Sequence, residues 1–381
     1  MVSTSPKVLL IFFLIPFSTQ AQTANPHSLH RTQDSLAKIH LLAVKTFIGV
    51  SQPIKAFAEL LKADGLYKKS GNKTAQAIVN TQLGAFFEKN QLWEDAERYY
   101  ETAYILTADP DSSGLSADIS LKLAESLFWQ EKYQSALKYY QIALDYFEKK
   151  RLKNRMAESY VQIARIKDHQ KNYKQAESLI LNQALPLFRA ADNEFGRISC
   201  FDVLGRLYHK QKKYSQAKWF FIQANTAARK VKNTEGIITS LVELSKVKAD
   251  INDFDLALRD LKEAQFLAKK NETLSLLADL NETFAIVYNK SGNKSASSNY
   301  WRAYESLDDS MDVVQNNRVI AARQAAKESK YLFNEAQKTT TKIIKKQENS
   351  SLKYYLIAFI ALVIILGIGI YIDEKNSKGS N

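Results

Sequence analysis

The chain has 381 residues, enough for one elongated or two to three compact domains, and its 45% hydrophobic and 24% charged residues are typical of a folded protein. Only 12 Gly and 6 Pro are present, which favours an all-helical chain. The single cysteine, Cys200, excludes an intrachain disulfide and a cysteine-rich metal site. The net charge of +13 is spread along the whole chain, so nucleic-acid binding is not predicted.

The N-terminus has the pattern of a secretory signal peptide. Lys7 precedes a ten-residue apolar core, Val8 to Phe17, and small residues lie three and one positions before Gln22. The pattern predicts a cleaved signal peptide over 1–21, followed by a lead-in over 22–32. An uncleaved anchor is the alternative, disfavoured because the apolar run is short for a span of about 20 residues.

The middle of the chain repeats a packing pattern. Small residues recur at intervals of 40, 40, 40, 41, 40 and 39, at Ala56, Ala96, Ala136, Ala176, Ala217, Ala257 and Ala296. A second small residue usually follows seven positions later, with a large apolar residue between the two, so that all three share one helix face. Such a face lets another helix approach closely, and stacked units bury what one helical hairpin cannot cover.

Seven helical pairs are therefore predicted over 33–307. Turn-forming residues, such as Ser70-Gly71-Asn72 and Ser291-Gly292-Asn293, separate some of the helices. The predicted pairs are 33–49 with 53–69, 73–90 with 93–107, 115–130 with 133–149, 154–170 with 173–188, 195–210 with 214–229, 235–250 with 254–270, and 274–290 with 293–307.

Two further segments complete the predicted architecture. No Pro or Gly interrupts 306–347, which predicts a helical stalk over 308–352, with dimerisation through it as one option. Nineteen uncharged residues, Tyr354 to Ile372, predict a transmembrane helix over 353–372 and a short cytoplasmic tail over 373–381. Lysines before the span favour the opposite orientation by the positive-inside rule, but the signal peptide acts first.

The repeat pattern resembles the tetratricopeptide repeat family. The family's motif of a large residue, L-G-x-x-Y, a later Ala, an aromatic residue and another Ala is matched by Leu204, Gly205, Tyr208, Ala217, Phe221 and Ala224, and by Leu83, Gly84, Phe87, Ala96, Tyr100 and Ala103. The period of 40, rather than about 34, is similar to the long-repeat variety of bacterial regulatory and sensor proteins. The resemblance implies an all-α, right-handed solenoid of about seven helical pairs whose first helices line a groove.

That implied groove contains a column of cations. If the register holds, Arg165, Arg206 and Lys246 occupy one position in three successive units, with His209 and Lys210 one turn further on. Such a column would hold the carboxylates of an acidic peptide or of a C-terminus. The alternative is that a net charge of +13 produces such columns by chance and that the side chains are solvated.

No catalytic motif, metal site or cofactor site is predicted. The five histidines have no metal-binding spacing, and a metal shared by His169 and His209 is disfavoured against solvated or hydrogen-bonded histidines. The chain is therefore expected not to be an enzyme. The leading hypothesis is a membrane-anchored protein that binds a protein or peptide, single-pass in the bacterial inner membrane, with its solenoid in the periplasm or outside the cell.

The alternative hypothesis concerns signalling. The layout of signal peptide, repeat array, stalk and span resembles the input half of bacterial sensor histidine kinases and helix-turn-helix regulators, without their output domain. The chain would then be a truncated or split sensor that passes a ligand signal to a separate kinase or regulator. Five N-x-S/T sequons, at Asn72, Asn271, Asn281, Asn293 and Asn349, leave a eukaryotic secretory protein as a further alternative.

Overall fold

The fold is an array of helical hairpins. The computed structural model describes residues 26–49, 52–107, 114–269 and 274–346. The helices are α1 (Pro26–Gly49), α2 (Pro53–Ser70), α3 (Lys73–Lys89), α4 (Trp93–Leu106), α5 (Leu115–Trp129), α6 (Tyr133–Lys149), α7 (Lys153–His169), α8 (Tyr173–Ser178), a π-helical segment (Leu179–Ala184), α9 (Leu185–Ala190), α10 (Glu194–Lys210), α11 (Tyr214–Lys230), α12 (Thr234–Asp250), α13 (Phe254–Ala268), α14 (Leu274–Lys290) and α15 (Lys294–Lys346). They form seven helical pairs in these ranges, so the predicted all-α solenoid of repeats is confirmed.

Nearly every described turn between helices has one backbone geometry. The central residue of the turn has a positive φ. The residue after it donates its backbone N–H to the carbonyl of the residue five positions before that donor, at 2.8–3.1 Å, which is a Schellman motif. The residues with positive φ are Gly71, Gln91, Glu131, Arg151, Lys171, Asp192, Lys212, Lys232, Asn252 and Gly292. Most neighbours in this series lie 20 residues apart, so each 40-residue unit consists of two halves, each ending in the same turn.

Small residues set the distance between the two helices of a pair. The predicted packing residues Ala56, Ala96, Ala136, Ala176, Ala217 and Ala257 are all at most 4% exposed. In the seventh pair Ala296 is half-buried, and its neighbour Ser297 takes the buried position and donates to the Ala285 carbonyl at 2.9 Å. Gly84 lies against the Tyr100 ring and Gly205 against the Phe221 ring, where an added Cβ would approach ring carbons to 2.6 Å.

The fourth pair contains one residue more than its neighbours. Its second helix is interrupted by the π-helical segment, in which Ile180 and Ala184 are buried. A π-helical turn holds an extra residue without rotating the helix that follows. Pro186 lies two residues after this segment, where its missing N–H removes a donor from the helix. The segment accounts for the interval of 41 between Ala176 and Ala217.

The first helices of the pairs lie on the inner side of the array. Contacts between neighbouring pairs join α7 to α10, α10 to α12, and α12 to α14. Within the described ranges, no two second helices of adjacent pairs make comparable contacts. The array therefore curves with its first helices on the concave side, because helices on the inside of a curve come closer together.

The last helix does not end with the seventh pair. α15 has 53 residues, about 80 Å at 1.5 Å per residue, and its later part packs against α2. Gln315 Nε2 donates to the Asn90 carbonyl at 2.8 Å, and Ala322 is only 3% exposed within a core that reaches from α1 to α7. The first part of the predicted stalk is thus joined to the first two pairs, an arrangement that the sequence analysis did not predict.

The prediction of a transmembrane helix is contradicted. Among the residues that the structure describes, no helix is long and apolar enough to cross a membrane. The same finding contradicts the predicted single-pass location in the bacterial inner membrane. The segment 353–372 on which that prediction rested lies outside the described residues, as do the predicted signal peptide, 1–21, and the tail, 373–381.

The close approach at Gly205 leads to a stability prediction. In Gly205→Ala the new methyl group meets the fully buried Phe221 ring, and overpacking of this kind costs about 1–3 kcal/mol. This cost exceeds the gain of about 1 kcal/mol in helix propensity. We expect a lower free energy of unfolding in urea. Ser199→Ala, at an exposed position of the same helix, is the control, and equal stability of Gly205→Ala and the wild type would contradict the prediction.

Candidate functional site

The predicted cations lie on the concave side. Arg165 is on α7, Arg206, His209 and Lys210 are on α10, and Lys246 is on α12. Arg165, Arg206 and Lys246 all act electrostatically on one carboxylate, Asp202, and so lie around a common centre. Because these residues come from three successive first helices, the stacking of the pairs brings them together.

Two carboxylates lie within this group of cations. Arg206 Nε is 3.3 Å from Asp202 Oδ2, and an Arg206 terminal nitrogen is 3.8 Å from Glu243 Oε1. Lys246 Nζ is 3.2 Å from the same Glu243 oxygen. We call Arg165, Arg206, Lys246, Asp202 and Glu243 the charged strip. Three cations face two carboxylates, so with every group ionised the strip keeps one positive charge.

Asp202 has an unusual environment within the strip. Burial raises its pKa above the ordinary value of 3.8; Arg206, Arg165 and Lys246 oppose this rise, and Glu243 adds to it. The net shift is upward, so desolvation outweighs the attraction of the cations.

Arg165 connects the strip to aromatic side chains. Its guanidinium lies over the Phe128 ring, 5.1 Å from the centroid, and it donates to Gln162 at 3.1 Å. Phe128 is buried, but the adjacent Trp129 is 49% exposed and stacks on Trp93 with 5.5 Å between ring centroids. Phe128 therefore belongs to the core, whereas Trp129 is open to solvent.

His209 and Lys210 join successive units instead. His209 Nε2 is 2.7 Å from Asp250 Oδ2, and Lys210 Nζ is 2.6 Å from Asp168 Oδ2. Asp250 also pairs with Lys290 of α14. Burial raises the pKa of Asp250, but the hydrogen bonds from Lys290 and His209 outweigh it and lower that pKa overall. These two predicted groove residues are thus occupied by ion pairs between the units.

The acidic members of the strip, Asp202 and Glu243, were not predicted from the sequence. Asp202 lies four residues before Arg206 and Glu243 three residues before Lys246, which are spacings that place both members of a pair on one helix face. Attention to charge pairs, rather than to cations alone, would have found them. No group of three or more potential metal ligands occurs among the described residues.

Comparisons with known proteins show the same type of fold. A tetratricopeptide repeat profile matches residues 115–190. The apo form of RapI is 15% identical with a TM-score of 0.58, covering 77% of this chain and 99% of that chain. A signal-transduction ATPase with a tetratricopeptide repeat sensor from Pyrococcus horikoshii is 14% identical with a TM-score of 0.58, covering 77% and 46%.

A third structure is that of a complex. It is a Rap protein complexed with competence and sporulation factor, 13% identical with a TM-score of 0.53, covering 84% of this chain and 99% of that chain. No curated protein sequence matches the chain. At these identities the similarities establish a tetratricopeptide-type solenoid and nothing finer. The resemblance of the layout to sensor kinases stays a prediction.

The raised pKa of Asp202 predicts a pH-dependent stability. The folded state binds this proton more tightly than the unfolded state, so the wild type loses stability as pH rises from about 4 through the folded pKa. Asparagine does not titrate. The free energy of unfolding of Asp202→Asn should therefore increase relative to the wild type as pH rises.

Urea unfolding at about pH 4, 5.5 and 7 measures this difference across the window above the unfolded pKa. Asp145→Asn, at an exposed position of α6, is the matched control. A difference between Asp202→Asn and the wild type that stays constant, or that falls with rising pH, would show that burial does not dominate at Asp202.

Proposed function

Since the chain has the fold of a tetratricopeptide-repeat solenoid, we propose that it is a non-catalytic binding module that holds an acidic protein or peptide segment against the charged strip. The observation that carries the proposal is the position of Arg165, Arg206 and Lys246 around Asp202, where three cations face only two carboxylates. A ligand carboxylate there meets three cations and two carboxylates, so its net interaction with the strip is attractive.

The geometry supports one mode of contact. Arg206 is 48% exposed, and its guanidinium is shared between Asp202 and Glu243 at 3.3 and 3.8 Å, so neither carboxylate holds it in a tight pair. A carboxylate from the ligand is a stronger, bidentate partner for such a fork. Lys246, 30% exposed, supplies a second charge beside it. Binding therefore exchanges two long ion pairs for shorter ones.

The aromatic residues next to the strip give the ligand a second contact. Trp129 is exposed and held flat against Trp93, so an apolar side chain of the ligand packs on a surface that is already ordered. Anchors of this kind carry much of the binding energy at interfaces, whereas exposed charges contribute mainly specificity. We infer a ligand with carboxylates followed by an apolar residue.

A role in signalling is the second candidate. The Rap protein is complexed with competence and sporulation factor, and the Pyrococcus protein uses tetratricopeptide repeats as a sensor. In this chain α15 connects the seventh pair with α2 of the first, so a change in curvature on ligand binding reaches both ends. A sensor component that passes a ligand signal to a separate protein is consistent with this connection.

Charge removal on the strip tests the binding proposal. In the triple variant Arg165→Gln, Arg206→Gln, Lys246→Gln, we expect a fluorescently labelled peptide rich in Glu with one Leu to bind at least about tenfold more weakly, or about 1.4 kcal/mol. Asp202→Asn should bind the same peptide about two- to tenfold more tightly, because one competing carboxylate is removed. Fluorescence anisotropy on the full chain gives both dissociation constants.

The matched control removes the same charge from the second helices of the same three pairs, at Lys174, Lys218 and Lys262. If the control weakens binding as much as the strip variant, attraction by net charge alone explains the result. Equal affinity of the wild type, the strip variant and Asp202→Asn would refute the proposal. The ionic strength is held constant, since exposed charges are screened by salt.

A further inference from the structure

A cleft that is separate from the charged strip lies where α15 meets the first two pairs. It has a volume of about 1080 Å³ and is bounded by α2, α3, α4 and α15. Five cations line it: Lys68 and Lys69 of α2, Arg98 of α4, and Arg323 and Lys327 of α15. The cleft does not include any residue of the charged strip.

Most of these cations have no counter-charge. Arg98 pairs with Asp95 one turn earlier. Lys68, Lys69, Arg323 and Lys327 form no ion pair with any side chain whose position the structure describes. Two carboxylates, Asp64 and Asp95, also line the cleft, and Asp64 is hydrogen-bonded by Asn80 at 2.6 Å. Five cations face these two carboxylates, so the cleft keeps a net positive charge.

Like charges from distant parts of the chain thus line one space. Gln315 and Ala322 fix α15 against the first pairs, and this contact places Arg323 and Lys327 across from Lys68 and Lys69. A cleft of this volume is roughly 10 Å across, comparable with the Debye length of about 8 Å at physiological salt. Salt therefore leaves part of the repulsion, which opposes the docking of α15 when the cleft holds no anion.

We propose that this cleft binds a small molecule carrying several phosphate groups, and that the bound anion fastens α15 to the first two helical pairs. Arg98 and Arg323 offer planar forks for phosphate oxygens, and Lys68, Lys69 and Lys327 offer point charges. The volume of about 1080 Å³ is that of a small-molecule site rather than of a surface for a folded partner. The ring of Tyr99, stacked on Phe87 at 5.4 Å between centroids, adds an apolar wall.

Anion binding and helix docking are then linked equilibria. Whatever binds more tightly to the docked arrangement shifts the chain toward it, and docking raises the affinity for the anion by the same factor. This site and the charged strip are separate, so the inference does not depend on the proposed function. It gives α15 a role as the moving part of a switch that small anions control.

The test uses the full chain with inorganic triphosphate as the probe. Amide hydrogen exchange of residues 312–328 reports docking, and isothermal titration reports binding. We expect triphosphate to slow exchange of this segment at least about threefold and to bind with a micromolar dissociation constant, about −8 kcal/mol. In Arg323→Gln, Lys327→Gln both effects should fall at least about tenfold.

Arg302→Gln, Arg318→Gln removes the same charge from exposed positions of α15 outside the cleft and is the control. Lys68→Gln, Lys69→Gln probes the opposite wall and guards against an effect of α15 substitutions on folding. Equal losses in the control variant would show a general ionic effect and overturn the proposal. Hydrogen exchange that does not change when triphosphate is added would overturn the proposal too. So would a cleft that binds the Glu-rich peptide but not triphosphate.

Discussion

The fit of a small residue on one helix against a large side chain on its partner is the constraint on which the whole array depends. Gly84 beneath Tyr100 and Gly205 beneath Phe221 let the two helices of a pair approach until the rings are enclosed. The alanines on the second helices do the same on their own face. The pairs stack one on the next, with contacts between successive first helices on the inside of the curve.

The regular stacking also determines where the charges lie. Ion pairs such as Asp168 with Lys210 and Asp250 with Lys290 join residues about 40 positions apart, one unit to the next. In each of these pairs a lysine is neutralised by an aspartate of a neighbouring unit. The charged strip and the cleft beside α15 are different, because there cations outnumber the carboxylates that could pair with them.

The repeating helical pairs could be predicted because the pattern of small and large residues is local and recurs seven times. The turns were harder, since eight of the ten residues with positive φ are not glycine and left-handed geometry is then set by the helices on either side. In the seventh pair the buried position could not be predicted from residue size, because Ala296 and Ser297 are both small. Packing in the folded structure buries Ser297.

Contacts between residues far apart in the chain could not be predicted from the repeat pattern. Gln315 and Asn90 are 225 residues apart, and nothing in the composition of α15 indicates that its later part packs on α2. The membrane helix was inferred from local hydropathy alone, and no described helix has the required character. Of the site, the basic column was visible in the sequence, but Asp202 was not, because its significance comes from burial and from three cations on three different helices.

The π-helical segment in the fourth pair shows how such an array withstands a change in length. One additional residue in an α-helix turns every later side chain by about 100°, which would expose Ala184 and the core of the following units. Here the widened turn from Leu179 to Ala184 absorbs that rotation within six residues. The three pairs that follow bury the same repeat positions as the three that precede. The extra residue in one helix therefore leaves the packing of the other pairs unchanged.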